Sequence, residues 1–235
     1  MAAPTRSASA DGTNVRREEL VDLAAHDIRT TLRVVEAAVE MLEMDLADAA
    51  LALPMLRRAS GRIGSLVQTL LDVSRLRRGV MPLALADVPW AVVCEPLLAE
   101  MGLPAQARGV RFVRTGDAQA IVRCDPALVE RVLLNLVDHA LAAAPDGTTV
   151  DVHTERRPGG AFLVRVGHRG PAIPADVLAT LFDEHASQTD GASLGRTFCR
   201  LAVERHGGTI RAVSPYADGR GAAFEVELPA DPRGR

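Results

Sequence analysis

The chain has 235 residues, of which 48% are apolar and 24% charged, a balance typical of a globular protein of one or two domains. Its net charge of −3 and its aromatic content of 3% argue against nucleic-acid binding by a basic surface or by stacked rings. No apolar run approaches the ~20 residues that cross a bilayer, so we expect no membrane span. The first 14 residues lack the apolar segment of a secretory signal.

The three cysteines, Cys94, Cys124 and Cys199, are widely spaced and form no CxxC pair. Their spacing supports neither a disulfide framework nor a zinc site, and we expect no metal ligands. Reduced thiols of this kind predict a cytoplasmic protein.

The first part of the chain predicts a helical hairpin. Residues 1–14 are small and polar, and we expect a disordered tail there. Apolar residues then recur at helical spacing over 20–46 and again over 56–76, with Pro54 expected in the first turn of the second helix. Two amphipathic helices over 15–79 predict an αα-hairpin, and its apolar surface predicts a four-helix bundle formed by a homodimer.

A second domain is expected after a linker at 80–89, and it is predicted to run over 90–230 and to end in a short tail at 231–235. Helices are predicted at 90–107, 125–144, 175–183 and 193–206. Strands are predicted at 110–114, 120–124, 148–155, 161–166, 209–214 and 223–228. This pattern predicts an α+β fold with helices on one face of a mixed sheet.

The segment from Ala25 to Leu32 reads Ala-His-Asp-Ile-Arg-Thr-Thr-Leu and lies on the first predicted helix. His26 falls away from the apolar stripe, so we expect an exposed imidazole. Asp27 can hydrogen-bond that ring and raise its basicity, and Thr30 lies one turn further along the helix. A histidine in this setting can act as a nucleophile toward a phosphoryl group.

This octapeptide resembles the phosphoacceptor box of two-component sensor histidine kinases, with Thr31 where the family has a helix-bending proline. Residues 125–140, 166–174, 181–183 and 191–208 resemble the N box, first glycine box, F box and second glycine box of the family's ATP-binding domain. The resemblance implies a helical hairpin followed by a Bergerat-type (GHKL) α/β sandwich, with His26 as phosphoacceptor and Asp27 and Thr30 beside it.

The same resemblance implies a nucleotide site that has lost several of its usual residues. The positions that match the family's site are Asn135, His139, His168, Gly170, Gly191 and Gly195. His139 stands where the family's asparagine supplies an oxygen to Mg²⁺, and His168 stands where an aspartate accepts a hydrogen bond from the adenine amino group. Ala142, Ala172 and Ser193 depart from the pattern as well. We therefore expect ATP and Mg²⁺ to bind weakly or not at all, and we expect no other cofactor.

Three functions fit these residues, and they leave open whether the chain is an enzyme. The favoured one is a phosphorelay protein, a pseudokinase in which His26 exchanges phosphoryl groups with an aspartate on a response-regulator receiver domain. The first alternative is an active ATP-dependent histidine autokinase with a compensated site. The second is a non-catalytic dimeric scaffold that binds regulators or a partner histidine kinase.

Overall fold

The computed structural model describes residues 8–44, 49–182 and 193–232, and the chain divides into two compact units with one boundary between residues 74 and 75. Helices α1 (Ala8–Met44) and α2 (Ala49–Arg77) form the helical hairpin region. Within the described ranges, no helix combines the length and the apolar character needed to cross a membrane.

Small residues occupy most of the buried positions described on the two helices. Six buried residues recur at intervals of seven or fourteen, namely Ala24, Thr31 and Ala38 on α1 and Ala52, Ala59 and Val73 on α2. Thr69, Asp72 and Leu76 of α2 are buried as well. A seven-residue repeat keeps one stripe of a helix facing the same neighbour along its length. The buried positions of α1 follow the apolar stripe that the sequence predicts, and those of α2 follow it in part, at Ala59, Val73 and Leu76.

Two details of the helical region differ from the sequence-based expectation. Helix α1 begins at Ala8, so residues 8–14 are helical where a disordered tail is expected. Adding residues to an existing helix needs no new nucleation, which favours this extension. Pro54 is the sixth residue of α2 and lies inside the helix, not in its first turn. The backbone bond that Pro54 cannot donate would end at Ala50, which is exposed to water.

A five-stranded mixed sheet forms the centre of the second unit. Its strands are β2 (Arg111–Gly116), β4 (Thr149–Arg156), β5 (Phe162–His168), β6 (Thr209–Val213) and β7 (Ala222–Leu228). They run in the order β2-β4-β5-β7-β6. Only the β2–β4 pair is parallel, and every other pair in this sheet is antiparallel.

Helices cover one face of this sheet, as the predicted α+β fold requires. They are α3 (Trp90–Glu100), α4 (Gly102–Ala107), α5 (Pro126–Ala143), α6 (Ala175–Thr180) and α7 (Ser193–Arg205). Trp90 of α3 packs on Phe162 of β5 with ring centroids 5.1 Å apart. In turn, α7 packs on α5, where the Arg131 guanidinium lies 4.3 Å from the centre of the Phe198 ring.

The segment 80–89, expected to be a linker, contains a short strand. β1 (Ala86–Pro89) pairs antiparallel with β3 (Ile121–Cys124) to form a separate two-stranded sheet. Three of the four β1 residues are exposed, so no alternation of apolar and polar residues marks this strand in the sequence. Two further bonds fix the segment: Ala84 N–H donates to Asp125, and Arg205 donates to the Met81 carbonyl.

Both ends of α5 are capped by side chains. Asp125 is the N-cap, and its Oδ1 accepts from Leu128 N–H at 3.2 Å. At the other end, the two terminal nitrogens of Arg108 donate to the carbonyls of Leu141 and Ala144, each at 2.6 Å. These carbonyls have no partner inside the helix, so Arg108 supplies the donors they lack.

The sheet face turned away from the helices carries an ion-pair cluster around the buried Glu225. Glu225 on β7 lies between Arg165 on β5 and Arg211 on β6, with nitrogen–oxygen distances of 2.5–2.6 Å. Burial alone would raise the pKa of the Glu225 carboxyl, but the hydrogen bonds from the two arginines outweigh burial and lower it. The cluster joins three neighbouring strands.

Arg108→Met is expected to destabilise the fold. It leaves two helix-end carbonyls without their donors at a cost of about 1–3 kcal/mol. The free energy of unfolding, measured in urea, checks this. Arg114→Met is the matched control, because Arg114 pairs with Glu95 on the exposed surface and such pairs contribute about 0–1 kcal/mol. Equal losses in the two variants would contradict the capping role.

Candidate phosphoacceptor and nucleotide sites

Helix α1 carries the predicted phosphoacceptor box. The backbone at His26, Asp27 and Thr30 is helical. Thr30 is exposed, whereas the next residue, Thr31, is buried in the hairpin region. The side chains of His26 and Asp27 lie outside what the structure describes, so the exposure of His26 and its pairing with Asp27 stay predictions.

The structure places five of the six predicted nucleotide-site residues in the second unit. Asn135 and His139 lie one turn apart on α5, and Gly195 lies in the first turn of α7. His168 is the last residue of β5, two residues before Gly170. The sixth residue, Gly191, falls outside the described ranges, as does the end of the segment that resembles the F box.

Hydrogen bonding determines the tautomer of His168. The side chain is 1% exposed, and its Nδ1 accepts a hydrogen bond from Gly170 N–H at 3.1 Å. Burial lowers the pKa of His168, which favours the neutral ring. Because Nδ1 accepts, the single proton of the neutral ring is on Nε2. His168 therefore presents an N–H donor away from Gly170, and among the described residues Nε2 has no hydrogen-bond partner.

Close backbone contacts explain two of the glycines. A Cβ on Gly170 would lie 2.0 Å from the Ala143 carbonyl oxygen at the end of α5. A Cβ on Gly195 would lie 2.6 Å from Oδ1 of Asn135, whose Nδ2 donates to the Arg131 carbonyl at 2.7 Å. The glycines let β5 and α7 approach α5 closely, so the site residues come together there.

The rings of Phe224 and His168 lie close to His139. Its ring meets the edge of Phe224 at a centroid distance of 4.9 Å, and Phe224 meets Phe182 in the same way at 6.0 Å. The His139 and His168 rings are 6.1 Å apart. In the part of the chain that the structure describes, no group of three or more His, Cys, Asp or Glu residues could hold a metal ion.

A buried junction links Asp125 to His206, the residue that follows α7. His206 is 1% exposed, its Nε2 accepts from Asp125 N–H at 3.0 Å, and its Nδ1 donates to the Ala202 carbonyl at 2.7 Å. A backbone amide can only donate and a carbonyl can only accept, so the ring is neutral with its proton on Nδ1. The Asp-Pro pair that begins α5 is the sequence signal for the cap at this junction.

Two protein-family models match the chain. The His Kinase A (phospho-acceptor) domain model matches residues 16–79. The model named histidine kinase-, DNA gyrase B-, and HSP90-like ATPase matches residues 124–232. The chain belongs to the two-component sensor histidine kinase family, and the family resemblance and fold class read from the sequence are confirmed.

The comparisons with single proteins agree with this family. The sensor protein KdpD of Mycobacterium tuberculosis strain H37Rv is 31% identical over 229 residues, which are 92% of this chain and 26% of KdpD. The chain thus spans about a quarter of that relative. Full-length ShkA in complex with AMPPNP superposes with a TM-score of 0.67 at 21% identity, over 93% of this chain and 47% of ShkA. ThkA in complex with response regulator TrrA gives 0.66 at 19% identity, over 100% of this chain and 70% of ThkA. The two structural likenesses show the fold.

Gly170→Ala is expected to destabilise the second unit, because the added methyl group would meet a backbone oxygen and force β5 and α5 apart. We expect a loss of about 1–3 kcal/mol in the free energy of unfolding, as for overpacked cores. Gly102→Ala serves as control, since its new Cβ would have nothing within 4 Å. Equal unfolding midpoints of the wild type and Gly170→Ala would contradict the close contact.

Stability is expected to fall when the pH drops below about 6.5. Burial lowers the pKa of His206 from its usual 6.5, so the unfolded chain takes up a proton before the folded chain does. The contribution of His206 is therefore complete above pH 6.5 and decreases as the pH falls toward the folded-state pKa, by up to about 1.4 kcal/mol per pH unit. Urea unfolding between pH 5.5 and 7.5 measures the slope. His206→Gln should show a shallower slope, and an unchanged slope would contradict the assignment.

Proposed function

We propose that this chain is a phosphotransfer component of a two-component system in which His26 carries the phosphoryl group and the second domain binds Mg-ATP poorly. The carrying observation is the tautomer of His168, which places a donor where ATP needs an acceptor. Because the chain spans about a quarter of KdpD, this proposal concerns the chain itself and not the activity of its longer relatives.

The proposed chemistry at His26 is a reversible phosphoryl exchange with an aspartyl phosphate. An imidazole nitrogen of His26 attacks the phosphorus, an N–P bond forms, and the bond from phosphorus to the carboxylate oxygen breaks. Asp27 is proposed to orient the ring and to stabilise its positive charge. Thr30, exposed one turn further along α1, is proposed to contact the incoming phosphoryl group or a water molecule beside it.

His168 and His139 are a poor fit to Mg-ATP. The adenine amino group donates hydrogen bonds, and so does Nε2 of His168, so the two N–H groups would face each other. At the family's magnesium position, His139 offers an imidazole in place of an amide oxygen. Mg²⁺ prefers oxygen ligands, which makes this exchange unfavourable. No step of the proposed reaction uses ATP.

A response-regulator receiver domain and a second copy of the chain are the proposed partners. ThkA was solved in complex with a response regulator, and its fold covers the whole of this chain. The helical region also exposes large apolar side chains, namely Leu32, Val34, Val39, Leu51, Leu53, Val67 and Leu71. Pairing of two hairpins into a four-helix bundle would remove such apolar surface from water.

Membership of the histidine kinase family supports one alternative function for the chain, that of an ATP-dependent autokinase. Asn135, Gly170 and Gly195 retain the family pattern, and ShkA was solved with an ATP analogue. In that case ATP and Mg²⁺ alone would phosphorylate His26.

His26→Gln is expected to abolish phosphoryl uptake, whereas His139→Ala is expected to leave it unchanged. The measurement mixes the chain with ³²P-labelled receiver domains, phosphorylated on aspartate by acetyl phosphate, and follows transfer of the label. Loss of the imidazole nitrogen removes the nucleophile, while His139 has no part in this transfer.

Incubation with labelled ATP and Mg²⁺ is the companion experiment. Label on His26 of the wild type under these conditions would refute the poor binding of Mg-ATP and support the autokinase. If neither ATP nor any phosphorylated receiver labels His26, the protein acts without phosphoryl chemistry, as a dimeric scaffold. Circular dichroism of each variant verifies that it is folded.

A further inference from the structure

We infer that the second domain carries a binding site for a free α-amino acid with an apolar side chain, in a cavity between α3 and β2. The cavity has a volume of about 310 Å³, and the exposed residues Arg114, Gly116 and Ala118 line it where it meets solvent. Among the described residues that line the cavity, none belongs to the predicted nucleotide set. The site goes beyond the proposed function, which it neither requires nor supports.

Apolar groups form most of the wall of the cavity. The first turns of α3 contribute Trp90, Ala91 and Cys94, and β4 contributes Val152. Burial raises the pKa of Cys94 to about 11, so its thiol is uncharged at neutral pH and behaves as a small apolar group. Small-molecule sites are typically cavities of about 300–1,000 Å³ with apolar walls and a few polar groups. A cavity at the lower end of this range suits a ligand of the size of an amino acid.

Two opposite charges meet at this cavity. Arg114 on β2 donates to Glu95 on α3 with a nitrogen–oxygen distance of 3.0 Å, and the two side chains are 52% and 56% exposed. Ion pairs that are half exposed contribute little to stability, so their members exchange partners at low cost. A second cavity, of about 330 Å³, is lined by the same two residues and gives them space into which they can separate. The pair can therefore open to a ligand that offers one charge to each member.

The head group of an α-amino acid complements this pair. Its carboxylate can accept two parallel hydrogen bonds from the guanidinium of Arg114, and its ammonium can donate to the carboxylate of Glu95. An amino acid carries these charges on neighbouring carbons, which suits two side-chain groups that already lie 3.0 Å apart. Pro89 is the N-cap of α3 and has no side-chain acceptor. The N–H groups of the first turn thus add a positive field that favours the ligand carboxylate.

The apolar wall determines the side chain of the ligand. With its charges at Arg114 and Glu95, a bound amino acid would direct its side chain toward Trp90 and Val152, which line the same cavity. The indole of Trp90 is held against Phe162 with ring centroids 5.1 Å apart, so this wall is fixed before a ligand binds. An aliphatic side chain that enters the cavity leaves water, and this burial favours binding.

Titration of the full chain with L-leucine at pH 7 tests the inference. Trp90 is the single tryptophan of the chain, so a change in tryptophan fluorescence arises at the cavity wall. Isothermal titration calorimetry measures the same binding without relying on the indole. We expect saturable binding with a Kd below about 1 mM.

Three related compounds separate the parts of the ligand. Glycine has both charges and no side chain, N-acetyl-L-leucine has no ammonium, and L-leucinamide has no carboxylate. Each is expected to bind about tenfold or more weakly than L-leucine, as for the loss of one charged hydrogen bond or of the buried side chain.

Variants of the protein locate the binding. Arg114→Met and Glu95→Gln each remove one charge and should weaken the binding of L-leucine about tenfold or more. Ala91→Leu fills the cavity and keeps both charges, and it should weaken binding as strongly. Arg111→Met is the matched control, because Arg111 lies on the same strand but outside the lining of both cavities. Its affinity for L-leucine should equal that of the wild type.

Absence of saturable binding by both methods up to about 10 mM L-leucine would overturn the inference. N-acetyl-L-leucine that binds as tightly as L-leucine would overturn the zwitterionic head group, and equally tight binding of glycine would overturn the apolar pocket. Unchanged affinity in both Arg114→Met and Glu95→Gln would show that the amino acid binds elsewhere. Transfer of label to His26 is measured separately, so the two proposals fail by different measurements.

Discussion

The second domain depends on the position of α5, which is fixed at both ends by buried or half-buried hydrogen bonds. At the start of the helix, Asp125 caps the first turn, holds Ala84 and donates its own N–H to His206. At the end, Arg108 holds the last carbonyls. Asn135 and His139 lie on the helix between these anchors, so their placement against β5 and α7 follows from the two caps and not from local contacts alone.

The fold can be read from the sequence because its elements follow simple periodicities. The expected helix at 125–144 is α5 at 126–143, and the expected strand at 148–155 is β4 at 149–156. Strand β1 cannot be predicted from the sequence, because three of its four residues are exposed and leave no pattern of apolar residues. Its stability comes from pairing with β3, which no local pattern encodes. The position of Pro54 inside α2 cannot be predicted either, because a helix tolerates one missing backbone hydrogen bond where the free carbonyl is exposed to water.

Some features of the candidate site can likewise be predicted from the sequence, whereas others depend on contacts between residues far apart in the chain. The sequence identifies His168 as an unusual residue at its position, but a histidine can donate or accept through either nitrogen. Only the contact with Gly170 N–H, across a turn whose geometry depends on Ala143 and Gly221, determines which nitrogen carries the proton. Likewise, the need for glycine at position 195 becomes clear from the carboxamide of Asn135, a residue 60 positions earlier in the chain.

His168 and His206 are both buried, yet they are held in opposite tautomers, with the proton on Nε2 in one and on Nδ1 in the other. An NMR spectrum of the ring nitrogens should therefore show the attached proton on Nε2 for His168 and on Nδ1 for His206. His168 lies at the candidate nucleotide site and His206 at the anchor of α5. The native chain thus contains two reporters, one at the candidate nucleotide site and one of the integrity of the domain, without any introduced label.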